Sequence, residues 1–128
     1  MTRSNPFEAI HGEQFVVLTT YRRNGEPVPT TVWFAAYDGK LYVTTNRNLG
    51  KYKRILANAA VTVAASDRAG NVSGRPIAGR ARALDEAEYE QARSALLDKY
   101  GETYRSMTEQ MDARLPPGSR TYIEIETA

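Results

Sequence analysis

The sequence predicts a mainly β fold, α+β in class, with six to seven antiparallel strands and short helices between them. Three observations carry this. Asn24-Gly25 and Asp38-Gly39 are hairpin signals that separate runs rich in β-branched and aromatic residues. From Asp85 to Arg114 the apolar residues change to helical spacing. Strict alternation then returns in Thr121-Tyr122-Ile123-Glu124-Ile125-Glu126, with the isoleucines expected inward and the glutamates outward. The 128 residues suit one domain, 1–128, without a linker, repeat or low-complexity tail.

Taken in order, Asn5-Pro6-Phe7-Glu8 opens a short helix with proline at its first position. Gln14–Tyr21 is the first strand and Val28–Tyr37 the second. Lys40–Thr45 is the third, so the first three strands are expected to form a meander. On strand two, Val28, Thr30, Val32, Phe34 and Ala36 share one face, and Thr31, Trp33, Ala35 and Tyr37 the other. Neither face is polar, so both need cover: a barrel interior for one, and a helix, ligand or second subunit for the other. Ala60–Ser66 is a fourth strand. Pro76–Leu84 is a further one, with Gly79, Ala81 and Ala83 small enough for another backbone to come close. Arg80 and Arg82 face the opposite way, toward solvent or a dimer salt bridge. Asp85-Glu86-Ala87-Glu88 starts a helix in capping-box style, with Tyr89, Ala92, Leu96 and Tyr100 as its buried stripe. Gly101 stops it. A second helix runs to about Arg114 with Tyr104, Met107, Met111 and Leu115 inward, and Pro116-Pro117-Gly118 ends it.

Composition narrows the chemistry. The chain has no cysteine, which excludes disulfides, thiolate catalysis and zinc–sulfur sites and suits a cytoplasmic location. No apolar run is long enough to span a membrane, and the N-terminus has no apolar signal region. His11 is the only histidine, so a metal site or a serine–histidine triad has little to stand on. The net charge of +2 is mild, and the basic residues form one compact cluster instead of a stripe interleaved with aromatics, so nucleic acid is not the expected partner. A chain this poor in reactive groups either takes its chemistry from a cofactor or does none.

The stretch Thr44–Asn58 is where a cofactor would be held. It leaves a strand, turns through polar residues and enters a basic helix. Leu49, Tyr52, Ile55 and Leu56 form an apolar stripe, and Lys51 and Arg54, three apart, share another face. Asn46 or Asn48 can cap the first turn, and Gly50 lets a ligand approach the backbone. Free N–H groups at a helix start, with a lysine in the first turn, suit a phosphate. The same residues also fit an amphipathic helix whose charged side is simply solvated.

The order strand, Asn-Gly turn, Pro29-Val32-Trp33-Phe34 strand, Asp-Gly turn, Leu41–Asn46, then Gly50-Lys51 and Lys53-Arg54-Ile55 resembles the pyridoxamine 5′-phosphate oxidase-like split β-barrel superfamily, the FMN-binding split-barrel type. Within it the chain is most similar to the flavin- and deazaflavin-dependent group, whose cofactor is often coenzyme F420. The resemblance implies an F420-dependent oxidoreductase that moves a hydride between reduced cofactor and a small organic substrate. An FMN-dependent oxidoreductase and a non-catalytic flavin or deazaflavin carrier are the alternatives. It also implies a homodimer with cofactor sites at the subunit interface. Thr30, Thr31, Val32 and Trp33 match the strand beside the ring, and Thr45 and Asn46 the strand end that holds the phosphate arm. Lys51 matches the phosphate-binding position after Gly50, and Lys53 and Arg54 a pattern of the deazaflavin group. Tyr37, Tyr42 and Tyr52 are open choices as proton donors; no catalytic residue is assigned.

Overall fold

The computed structural model describes residues 6–10 and 12–128. His11 and the Asn5 end of the expected first helix lie outside the described residues. Seven strands, β1 (Phe15–Tyr21), β2 (Pro27–Trp33), β3 (Ala35–Tyr37), β4 (Lys40–Asn46), β5 (Ala60–Ser66), β6 (Ile77–Ala83) and β7 (Arg120–Thr127), pair antiparallel in one sheet. Helix α1 (Gly50–Ala57) links β4 to β5, while α2 (Tyr89–Tyr100) and α3 (Glu102–Arg114) link β6 to β7. The Pro6–Ala9 start is a single 3₁₀ turn.

Both hairpins form at the expected turns. Phe15–Tyr21 pairs with Trp33–Pro27, and Ala35–Tyr37 with Tyr42–Lys40. Asp38 and Gly39 both take positive φ, 52° and 77°. The meander between them does not form, because strand two breaks at Phe34. The sheet order is β2-β1-β5-β6-β7-β4-β3, so β2 and β3 are consecutive in the chain yet occupy opposite edges. One residue joins two edges, and the sheet must therefore curl on itself into a split barrel. The break is held by Tyr100 of α2. Its hydroxyl accepts from the Phe34 N–H at 3.1 Å and lies 2.8 Å from the Phe34 carbonyl and 2.7 Å from the Gln14 carbonyl. Backbone groups that lost their ladder partners are thus satisfied by a side chain.

The two faces of strand two are covered only around its break: Val32, Phe34 and Ala35 are buried, whereas Val28, Thr30, Thr31 and Trp33 are half-buried and Tyr37 is exposed. Val32 and Phe34 join Phe7, Val16, Leu18, Leu41, Val43, Val63, Ile123 and Ile125 inside the barrel. Ala35 and Trp33 face outward, into a second cluster with Tyr42, Leu96, Tyr104 and Tyr122 beneath α2 and α3. Gly79 lies inside: a Cβ there would meet Glu126 O at 2.9 Å, Ile125 Cγ2 at 3.0 Å and Phe7 Cζ at 3.6 Å. At Gly79 the close approach expected on β6 is made by this chain's own β7 and Phe7.

Helix stripes are shallower than their spacing suggests. On α2, Ala92 and Leu96 are buried, whereas Tyr89 and Tyr100 are half-buried with their hydroxyls bonded. On α3 only Tyr104 of the expected stripe is fully buried. Of the expected α1 stripe only Ile55 reaches the interior; Leu49 and Leu56 are exposed. On β7 the isoleucines point inward as expected, but outward-facing Glu124 is buried. It accepts from Tyr42 Oη and Arg82 Nη2, both at 3.2 Å, with Lys40 Nζ 3.6 Å away. Arg82 also forks onto Glu88 at 2.9 and 2.7 Å. It is neither merely solvated nor needed for a dimer salt bridge.

Candidate functional site

β4 runs out at Asn46, and the chain turns toward the barrel end that α1 closes with Ile55. Asn46 does not cap the helix. Its Oδ1 accepts from the Asn48 N–H at 3.0 Å and shapes the preceding turn. The N-cap position is Leu49, which has no side-chain acceptor, so neither asparagine fills the expected role. The first-turn N–H groups therefore have no side-chain cap, and no acidic residue sits in that turn.

Cations gather at this positive helix end. Arg54 turns back along the helix, and its Nε donates to buried Thr20 Oγ1 at 2.6 Å. Its guanidinium lies over Gly50, where a Cβ would come within 2.6 Å of Nη1. Gly50 thus makes room for Arg54, a different reason for glycine from direct ligand approach. Lys51 is half-buried. Burial holds its ammonium below the usual lysine range, and the charge of Arg54 pushes the same way. Lys53, two residues from Lys51, points elsewhere and is exposed. Among the described residues no carboxylate lies within ion-pair distance of Lys51, Lys53 or Arg54. A helix N-terminus favours negative charge, so this grouping has a charge deficit that an anion would remove.

The other expected contacts divide by strand alternation. Thr30, opposite Leu18, and buried Val32, opposite Val16, lie on the interior side of β2. Thr45 shares the inward face of β4 with Leu41 and Val43, and its Oγ1 is buried without a hydrogen-bond partner. Thr31 is outward, beneath the turn at Gly70, where a Cβ would meet its Oγ1 at 2.7 Å. Trp33 stacks on the Tyr100 ring at 4.5 Å between centroids and meets Phe15 edge-on at 6.3 Å. Asn46 is outward, in a groove of about 300 Å³ with Met107 and Met111. One protomer therefore brings Gly50, Lys51 and Arg54 together, while Trp33 and Thr31 sit on the outer face beside a cleft of about 750 Å³ lined by Phe15 and Arg68.

The tyrosines also sort themselves. Tyr42 donates to Glu124, and its hydroxyl is pushed up to about 12, mainly by burial, so it stays protonated at neutral pH with that proton engaged by Glu124. Tyr37 is exposed and Tyr52 half-buried. Lys99, not singled out from the sequence, donates from Nζ to the Glu13 carbonyl and sits 3.5 Å above the Phe34 ring. Burial lowers it to about 8.

A second polar grouping also escaped the sequence. Arg47, the residue between the two asparagines, donates from Nη2 to Tyr89 Oη at 2.8 Å, and Tyr89 Oη lies 2.7 Å from Thr121 Oγ1. Arg120 donates to Asp112 at 2.9 Å and, from Nη1, to Tyr122 Oη at 2.5 Å, which lies 2.9 Å from Tyr104 Oη. Its one sequence signal was a pair of arginines beside strand ends. Among the described residues no group of histidine, aspartate and glutamate could hold a metal ion.

The curled antiparallel sheet with its three helices belongs to the split-barrel class. The pyridoxamine 5′-phosphate oxidase family model matches residues 7–128, and the chain belongs to that family. No curated protein matches it. Solved structures agree on the fold. The conserved hypothetical protein Rv2991 of Mycobacterium tuberculosis has TM-score 0.70 and 19% identity, over 99% of this chain and 81% of that one. A FAD-binding protein of Mesorhizobium loti has TM-score 0.63 and 16% identity, over 94% and 83%. The haem storage protein HutZ of Vibrio cholerae has TM-score 0.70 and 12% identity, over 99% and 92%. At these identities the likeness is one of fold alone.

Proposed function

We propose that this chain binds the phosphorylated tail of a deazaflavin, coenzyme F420, at the α1 end of its barrel and serves as an oxidoreductase for a small organic substrate. One observation carries it: the uncapped start of α1, Lys51 and the Arg54 guanidinium form a positive grouping without a neighbouring carboxylate among the described residues. The preference for F420 over FMN comes from the resemblance across Pro29–Asn58, not from the geometry.

When bound, such a cofactor supplies the hydride chemistry. The chain's own residues bind and orient. Lys51 and Arg54 hold the tail, with Lys53 in a peripheral role. Thr45, Asn46 and Gly50 shape the strand end and turn, and Thr31 and Trp33, on the outer face of β2, flank the ring, with Thr30 and Val32 behind them on the interior side. A homodimer completes the site, a proposal resting on family resemblance and on the half-buried outer face that strand two keeps at Thr31 and Trp33 within one chain. Light scattering at low micromolar concentration tests it, and a clean monomer mass would remove it.

Ligand storage without turnover is the second reading, favoured by fold relatives described as FAD-binding and haem storage proteins. Equilibrium binding of purified protein to F420 and to FMN, side by side, tests the first step. Saturable F420 binding that quenches Trp33 is expected; binding of neither would refute the cofactor assignment. Turnover of bound reduced F420 with candidate acceptors then separates enzyme from carrier.

A further inference from the structure

We infer that the cleft between the start of α2 and the loop before β7 is a separate binding site for a small monocarboxylate with a flat or apolar body. The cleft holds about 430 Å³ and is lined by Arg47, Tyr89, Arg120, Tyr122, the acidic pair Glu86 and Asp112, and residues 116–119. Its lining does not include Lys51 or Arg54.

Arg47 is the centre of the site. Its backbone is anchored, since its N–H donates to the Ser119 carbonyl at 2.8 Å. Its guanidinium is exposed but aimed, donating from Nη2 to Tyr89 Oη. An arginine can only donate, so the tyrosine oxygen accepts; it also shares a hydrogen bond of 2.7 Å with Thr121 Oγ1, in which either hydroxyl can donate. This contact places Nη2 and uses one of the five N–H groups of the guanidinium. Among the described residues no carboxylate comes within ion-pair distance of Arg47. An oriented guanidinium with unused donors is the geometry that takes a carboxylate in a two-pronged contact.

The rest of the lining narrows the ligand. Arg120 is already neutralised by Asp112 at 2.9 Å, so it adds little net charge. With Asp112 paired to Arg120, Glu86 is the carboxylate of the lining outside that pair, and a dianion such as a phosphate monoester would meet it at greater cost than a monoanion. The Tyr89 and Tyr122 rings, edge-on at 5.1 Å, and Pro116 and Pro117, which have no N–H, offer apolar surface beside it.

The test is amide and arginine side-chain NMR on the full chain without cofactor, titrated with benzoate, benzamide, inorganic phosphate and phenyl phosphate. Benzoate is expected to shift the Arg47 Nε–H and the amides of Gly118 and Ser119 saturably, with Kd on the order of millimolar. Arg47→Gln should weaken it by about tenfold or more, and Tyr89→Phe by a smaller factor, because the ring stays but the aim is lost. The remaining cross-peaks report that both variants fold. Four results would overturn the proposal: no saturable shift with benzoate, equal binding of benzamide, tighter binding of either phosphate, or unchanged benzoate affinity in folded Arg47→Gln.

Discussion

Replacing Lys51 by methionine should move stability and ligand binding in opposite directions. Methionine keeps an apolar stem in a half-buried position and removes the charge. In the free protein that charge is unfavourable, because burial and Arg54 both lower the ammonium's pKa. A lysine whose folded pKa lies below its unfolded one weakens the fold at pH values below the folded pKa. The penalty fades as pH rises toward the unfolded value. Unliganded Lys51→Met should therefore melt at the same temperature as wild type or higher at neutral pH. With ligand the order reverses. A ligand at a hundred times its Kd stabilises by about 2.7 kcal/mol. At about 2.1 cal/mol/K per residue, a chain of this length gains roughly 4 °C per kcal/mol, so wild type should gain about 10 °C. Losing a charge-assisted contact of about 1.5–3 kcal/mol weakens binding roughly ten- to a hundredfold. At the same ligand concentration the variant should then gain about 5 °C down to under 2 °C. Affinity in wild type should also fall as pH rises through the depressed lysine pKa, since the neutral amine no longer attracts an anion. Thermal melts with F420 and with FMN read all of this without an activity assay. An undiminished ligand shift in the variant, or an unliganded melting point several degrees lower, would refute the anion site.

Tyr100→Phe should destabilise the fold by about 1–3 kcal/mol, because the Phe34 N–H loses its partner at the strand break. Chemical denaturation measures it, and an unchanged midpoint would mean that the break is held by packing alone. Gly79→Ala should cost about 1–3 kcal/mol, since the new methyl meets the Glu126 carbonyl at 2.9 Å, and backbone cannot swing aside as a side-chain end can. A neutral effect would show that β7 shifts freely. Glu88, held down to about 2 chiefly by its hydrogen bonds with Arg82, contributes stability present above its unfolded pKa. That contribution should drain away as pH falls from about 4.5 toward 2, and Glu88→Gln should flatten the stability–pH slope there, as acid titrations followed by circular dichroism would reveal.

Local chemistry was legible in the sequence wherever a short-range rule governs it. Asn24-Gly25 and Asp38-Gly39 place the hairpins because few residues tolerate positive φ, and alternation sorted Val32 from Trp33 and Ile123 from Glu124. The spacing of Lys51 and Arg54 put them on one helix face, and the order of elements pointed to the family. Tertiary structure alone decided where strand two breaks. Phe34 carries no glycine or proline signal, and barrel closure with a hydroxyl from residue 100 makes the break tolerable. It alone turned Gly50 into space for Arg54, and Gly79 of β6 into space for Phe7 and β7. It also set Arg47 against Tyr89 and Thr121, far apart in the chain. Periodicity fixes which side of an element a residue takes, but the partner it meets there depends on how distant segments close around one core.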